Sequence, residues 1–153
     1  IVGLGKAAEL AVANMATRRE SLTPLRDRLL AELPDKIDHV IVTGHPQKRL
    51  PGHASFCVEF IEGESMLMML DMQGVAVTSG SACTSRALKA SHVLIAMGIS
   101  HALAQGSLLF GLGLENTPED IDYVLEMFPP IVDRLRQMSP LYSAFTKASK
   151  GGN

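Results

Sequence analysis

Cys83 stands in the run Val77-Thr78-Ser79-Gly80-Ser81-Ala82-Cys83-Thr84-Ser85, a stretch of small polar residues that follows a short apolar segment. A thiol kept for packing normally sits inside an apolar element, because free cysteine behaves as a small hydrophobe. Here small neighbours leave the sulfur reachable and the backbone adaptable. That setting suits a nucleophile that takes a group from one molecule and hands it to another. The reactive form is the thiolate, and an ordinary thiol pKa of about 8.5 leaves only a few per cent of it at neutral pH, so a nearby cation or backbone donors would help. Arg86 and Lys89 are the cations closest in sequence that could serve. The plainer reading of either is a solvated loop charge, since most exposed charges contribute little.

The other polar residues offer less. Cys57 alternates with apolar neighbours in a strand pattern, on the face opposite Ala54, Phe56, Val58 and Phe60, and reads as a half-buried packing residue. The two cysteines form neither a metal-ligand spacing nor a disulfide framework, so reduced thiols in a cytoplasmic setting are expected. His45, His53, His92 and His101 have no partner at ligand spacing and default to structural roles. A formal net charge of −2 with no basic cluster gives no reason to expect nucleic acid or an anionic membrane as partner. No long apolar span suggests a membrane helix.

The elements that must position Cys83 follow from periodicity. With 153 residues and 46% hydrophobic content, one domain with a real core is expected. Leu4, Ala8, Ala11, Met15, Leu22, Leu25, Leu29 and Leu33 recur at helical spacing, predicting one long amphipathic helix in which a kink at Thr23-Pro24 and a continuous rod are equally open. His39 to Val42 and Ala54 to Phe60 read as strands, and Thr43-Gly44-His45-Pro46 as a turn. Glu64 to Gln73 predicts a helix that Gly74 stops, its methionines core filler. Val75 to Val77 predicts a short buried strand leading to Cys83. Ser91 and Ser100 can cap two short helices, and Ser107 to Gly113 alternates as a strand whose second face is small except for Leu109. Thr117-Pro118-Glu119-Asp120 opens a closing helix that Pro129-Pro130 should kink or split, and Thr146 to Asn153 should fray. The sum is a small α/β sandwich with helices on one face of a mostly antiparallel sheet. The first helix should leave an apolar patch exposed, which favours self-association or a partner domain.

Ser79-Gly80-Ser81-Ala82-Cys83-Thr84-Ser85 resembles the active-site cysteine loop of the group I cysteine desulfurases, which are pyridoxal-phosphate enzymes of the class V aminotransferase-like family. Ile1 to Ala8, Glu62-Gly63-Glu64-Ser65, Ser91-His92-Val93-Leu94, Ala96-Met97-Gly98 and Ser139-Pro140-Leu141 stand in the order that family shows, so the resemblance covers nearly the whole chain. It implies the C-terminal small domain of a fold type I enzyme: residues 1–33 an interdomain helix, 139–153 a C-terminal tail, and the large domain, with the cofactor-holding lysine and the histidine that stacks on the cofactor, absent. It further implies that Cys83 takes sulfur from L-cysteine as a persulfide, leaving L-alanine, and passes it to an iron–sulfur scaffold or thiolation protein. The parent would be a homodimer, and this chain alone would be inactive.

On the strand that begins at Ser107, the family carries an arginine where this chain has Leu109, and that arginine grips the substrate carboxylate. A second common arginine is replaced by Leu114. Losing a charge-assisted hydrogen bond costs roughly 1.5–3 kcal/mol. Three readings therefore stand side by side: a desulfurase in which another residue compensates, a related lyase or transferase with an altered substrate, and a sulfur-carrier or scaffold-interaction module without catalysis.

Overall fold

The computed structural model of the chain describes residues 1–79 and 90–150. Cys83, Arg86 and Lys89 lie outside the described residues.

The N-terminal helical pattern forms two helices, α1 (Val2–Ala13) and α2 (Met15–Lys36), and the break falls at Asn14 rather than at Pro24. Asn14 has φ −95° and ψ 5°, while the Asn14 amide still donates to Leu10 O and Arg18 to Asn14 O, so the interruption is one residue deep. Asparagine competes for backbone hydrogen bonds and weakens a helix where no packing supports it. Pro24 and Pro34 sit inside α2. Pro24 faces solvent, as does Glu20, whose carbonyl it leaves without a helical donor and open to water. All of α1 is exposed, and burial begins in α2 at Leu22 and continues through Leu25, Leu29 and Leu33.

Strands β1 (Val40–Val42), β2 (His53–Val58) and β3 (Ser107–Gly111) form an antiparallel sheet in the order β1-β2-β3, with Val42 opposite Phe56 and Phe56 opposite Leu108. Ala54, Phe56, Val58, Leu108 and Phe110 point from one face into the main core, which α2, α3 (Gly63–Asp71) and α6 (Pro118–Met138) complete. Phe110 meets Phe56 and Phe128 edge to face, with ring centroids 6.0 Å apart in both pairs.

The opposite face is covered too. Cys57 is fully buried against Leu94 and Ala104, which come from α4 (His92–Ala96) and α5 (His101–Gln105). The expectation of helices on one face only, with Cys57 half-buried, is thus corrected: the two short helices pack a second, smaller cluster behind β2. Leaving water pushes the Cys57 thiol up to about 11.

Other expectations shift for local reasons. β2 ends at Val58, because the Val58 amide turns to Gly106 O and Phe60 takes φ 71°. Phe60 leaves the sheet and stacks on Phe145, centroids 4.8 Å apart. Phe145 belongs to α7 (Pro140–Lys150), so the predicted fraying from Thr146 does not hold up to residue 150. The predicted strand from Val75 to Val77 does not form; Val75 and Val77 are half-buried against the core, and Thr78 makes an isolated bridge to Leu109. α6 runs through Pro129-Pro130 unbroken, because Phe128, Ile131 and Val132 stay buried on both sides of the pair and Pro130 faces solvent. Met66 and Met69 join the core as expected, whereas Met68 and Met72 are exposed.

A buried cation ties the C-terminal helices to the sheet. Arg136 of α6 donates to Asp38 O at 2.7 Å and to Glu59 O at 3.4 Å, with its guanidinium 5.5 Å from the Tyr142 ring centre. Three backbone and ring partners replace the water it gives up.

Candidate functional site

The chain reaches Cys83 from a fixed point. Thr78 donates to Leu109 O at 3.1 Å and Leu109 donates to Thr78 O at 2.8 Å. Ser107 Oγ donates to Ser79 O at 3.3 Å. Gly63 passes so close that a side chain there would run into Ser107 O and meet Ser79 Cβ at 3.0 Å. Ser79, the last described residue before the cysteine, is therefore held to the start of β3. On the far side the described chain resumes at Ala90, which packs on the Cys57, Leu94 and Ala104 cluster.

Beside this point lies an open cleft of about 390 Å³. β3 contributes Ser107, Leu108 and Leu109 to it, β2 contributes His53 and Ser55, and α4 with its two caps contributes Ser91, Val93, Leu94 and Met97. Its remaining wall is the loop from Thr43 to Leu50. That loop is organised by Arg49, whose Nε donates to His45 O at 2.9 Å, Nη2 to Thr43 O at 2.9 Å and Nη1 to His53 O at 3.5 Å. Gly44 turns the loop at φ 89°. His45 Nδ1 accepts from the amides of Gln47 at 3.1 Å and Lys48 at 3.0 Å, while Thr43 Oγ1 and Ser55 Oγ are 2.6 Å apart. From α2, buried Arg26 donates to Leu50 O at 3.1 Å and pairs with Asp27 at 2.6 Å.

The electrostatics of the cleft follow from burial. His53 is held below the usual histidine range by loss of water and by the Arg49 charge, so its ring is neutral at neutral pH. Burial and the nearby Arg26 lower the basicity of Arg49 in turn, against a smaller opposing effect of Asp27.

Of the residues singled out in the sequence, Leu109 is in the cleft, half-buried and without a donor to offer. Leu114 is not on the strand: β3 ends at Gly111, and Leu114 is exposed in the loop before α6. His45 and His53 line the cleft, whereas His92 and His101 are exposed. Among the described residues no group of three or more His, Cys, Asp or Glu side chains could hold a metal ion. No described helix is long and apolar enough to cross a membrane. Sequence reasoning missed Arg49, since the segment before Leu50-Pro51-Gly52 reads only as a turn and nothing in its spacing shows a side chain folding back on its own loop.

Residues 1–124 match the aminotransferase class-V family. The chain belongs to that family. Among curated proteins, it is 46% identical over 142 residues to cysteine desulfurase IscS 1 of Archaeoglobus fulgidus, covering 93% of this chain and 37% of the relative. It is 47% identical over 149 residues to cysteine desulfurase IscS of Clostridium botulinum, covering 96% of this chain and 38% of the relative. A solved NifS-like protein superposes with a TM-score of 0.72 at 27% identity, over 88% of this chain and 33% of that one. The NifS-like protein of Rickettsia africae also gives 0.72 at 27% identity, over 86% and 33%. The chain thus spans little more than a third of the length of the curated relatives it matches. The fold is that of the corresponding part of these NifS-like proteins.

Proposed function

We propose that this chain is the C-terminal portion of a pyridoxal-phosphate-dependent cysteine desulfurase, in which Cys83 takes the sulfur of L-cysteine as a persulfide. The observation that carries the reading is the 46–47% identity to proteins named cysteine desulfurase across more than nine-tenths of the chain. The loop around Cys83 supports it, because small flanking residues give a thiol access to a substrate and then to an acceptor.

In the transfer, the Cys83 thiolate attacks the substrate sulfur. A bond from Cys83 Sγ to that sulfur forms as the substrate Cβ–S bond breaks; the electron pair of the broken bond stays with carbon, which takes up a proton and leaves in L-alanine. The described residues do not fit pyridoxal phosphate on their own. The lysine that lines the cleft, Lys48, is exposed, and a lysine that forms a Schiff base is activated by desolvation. Residues outside this chain are assigned that task. The persulfide would pass to an iron–sulfur scaffold or another sulfur acceptor, within a homodimeric cytoplasmic enzyme.

Leu109 favours a second reading. A leucine in the cleft supplies no charge to a substrate carboxylate, which suits a sulfur carrier without turnover or an enzyme of altered substrate. Sulfide and alanine formation from L-cysteine, by the whole protein that contains this segment, separates the two. Turnover that disappears in Cys83→Ala supports the desulfurase. A cofactor-loaded protein without turnover, whose Cys83 still accepts sulfur from a donor persulfide, supports the carrier.

A further inference from the structure

We infer that the cleft between β2, β3 and α4 binds a small carboxylate, with Arg49 as its counter-ion. The inference deepens the proposed function, and it rests on that reading only for the identity of the carboxylate as an amino acid.

The charge of the cleft is one-sided. Arg49 and Lys48 line it, and no Asp or Glu is among its described lining residues. The two arginines at this corner differ in how their charge is met. Arg26 is neutralised by Asp27, with contacts of 2.6 Å from Nη2 and 2.9 Å from Nε. Arg49 is half-buried and makes no ion pair among the described residues; its hydrogen bonds all go to backbone carbonyls. Carbonyl dipoles satisfy donors but leave the net charge standing in a place where water is partly excluded. An anion entering the cleft relieves that cost.

The donors left over have the right form. A guanidinium carries five N–H groups, and those on Nε, Nη1 and Nη2 already engaged by His45, His53 and Thr43 leave one on each terminal nitrogen without a partner among the described residues. Two donors in one plane match the two oxygens of a carboxylate. Opposite them the wall is apolar, from Leu109, Val93, Leu94 and Met97. Such a wall suits a singly charged head with a short carbon body better than a multiply charged, strongly hydrated phosphate. A cleft of about 390 Å³ accommodates an amino-acid-sized molecule. Ser55 and Ser107 add hydroxyls for its polar substituents. Arg49 thereby supplies from the loop a cation that β3, with Leu109, does not.

The test is a titration of the full chain with sodium propionate, L-alanine and inorganic phosphate, followed by NMR at the amides of His53, Ser55 and Leu109 and at Arg49 Nε–H. The two carboxylates are expected to give saturable shifts at these positions, and Arg49→Gln to weaken their binding about tenfold or more. Because Arg49 also holds its own loop, Leu109→Glu provides a second variant: it places a negative charge in the cleft, leaves the carbonyl bonds of Arg49 intact and should abolish binding in a chain that still melts cooperatively. Absence of saturable shifts, binding of phosphate in preference to both carboxylates, or unchanged affinity in both variants overturns the inference. The titration involves no turnover, so its failure leaves the Cys83 chemistry to be judged by the desulfuration assay. Saturable shifts with propionate and none with L-alanine overturn the amino-acid assignment alone.

Discussion

Thr78 and Leu109 exchange both backbone hydrogen bonds, at 3.1 and 2.8 Å, although neither the sheet nor any helix contains Thr78. Through this one bridge the segment that leads to Cys83 is registered on the strand whose side chains line the cleft. Thr78→Pro removes one of the two donors and restricts Val77 as well. It is expected to cost about 1–3 kcal/mol in urea unfolding and to expose the Leu109 amide to hydrogen exchange, with the amides of α6 unaffected at low denaturant. Retained protection at Leu109 would show that the bridge is not what fixes this segment.

His53 makes stability depend on acid. Its native pKa lies below the unfolded value of 6.5, so the unfolded chain binds a proton first. The contribution is complete above pH 6.5 and is lost as pH falls through that value toward the lower native one. Unfolding free energy measured from pH 7.5 down to 4.5 should therefore decline more steeply for the parent than for His53→Gln. Parallel curves would contradict the burial assigned to this ring.

Cys57 acts at the opposite end of the scale. Its thiol titrates at about 11 in the fold against 9.0 unfolded, so its contribution is full below pH 9 and fades as pH rises through the native value. At pH 8 iodoacetamide should label Cys83 and spare Cys57 until the chain is unfolded. Equal labelling rates in the native state would remove the distinction between the two cysteines.

The start of α6 is fixed by a reciprocal cap: Thr117 Oγ1 accepts from the Asp120 amide at 3.4 Å and Asp120 Oδ2 accepts from the Thr117 amide at 3.0 Å. Thr117→Ala should cost about 1 kcal/mol, read as a lower urea midpoint at unchanged slope. An unchanged midpoint would show that core packing alone sets this end of the helix.

Much of this architecture is legible in the sequence because it rests on local patterns. The Thr117 cap, the Gly74 stop and the alternation around Phe56 and Leu108 each state their structure within a few residues. The errors come where distant packing outweighs local preference. Pro129-Pro130 does not break α6, since Phe128 and Val132 hold both sides in the core. Phe60 continues the β2 alternation in sequence but is drawn to Phe145, a partner far along the chain. The cleft was half visible: Leu109 stands out as a departure from the resembling family, whereas Arg49 gains its role from three carbonyls that only the folded loop brings together.

The central claim is that Cys83 carries sulfur taken from L-cysteine. The most direct measurement is intact-mass and peptide mass spectrometry of the whole protein containing this segment, loaded with pyridoxal phosphate and given one equivalent of L-cysteine without reductant. The account predicts one added sulfur on the peptide bearing Cys83, alanine formed in equal amount, and neither in Cys83→Ala. Alanine formation that persists in Cys83→Ala, or sulfur found on Cys57 instead, would contradict it.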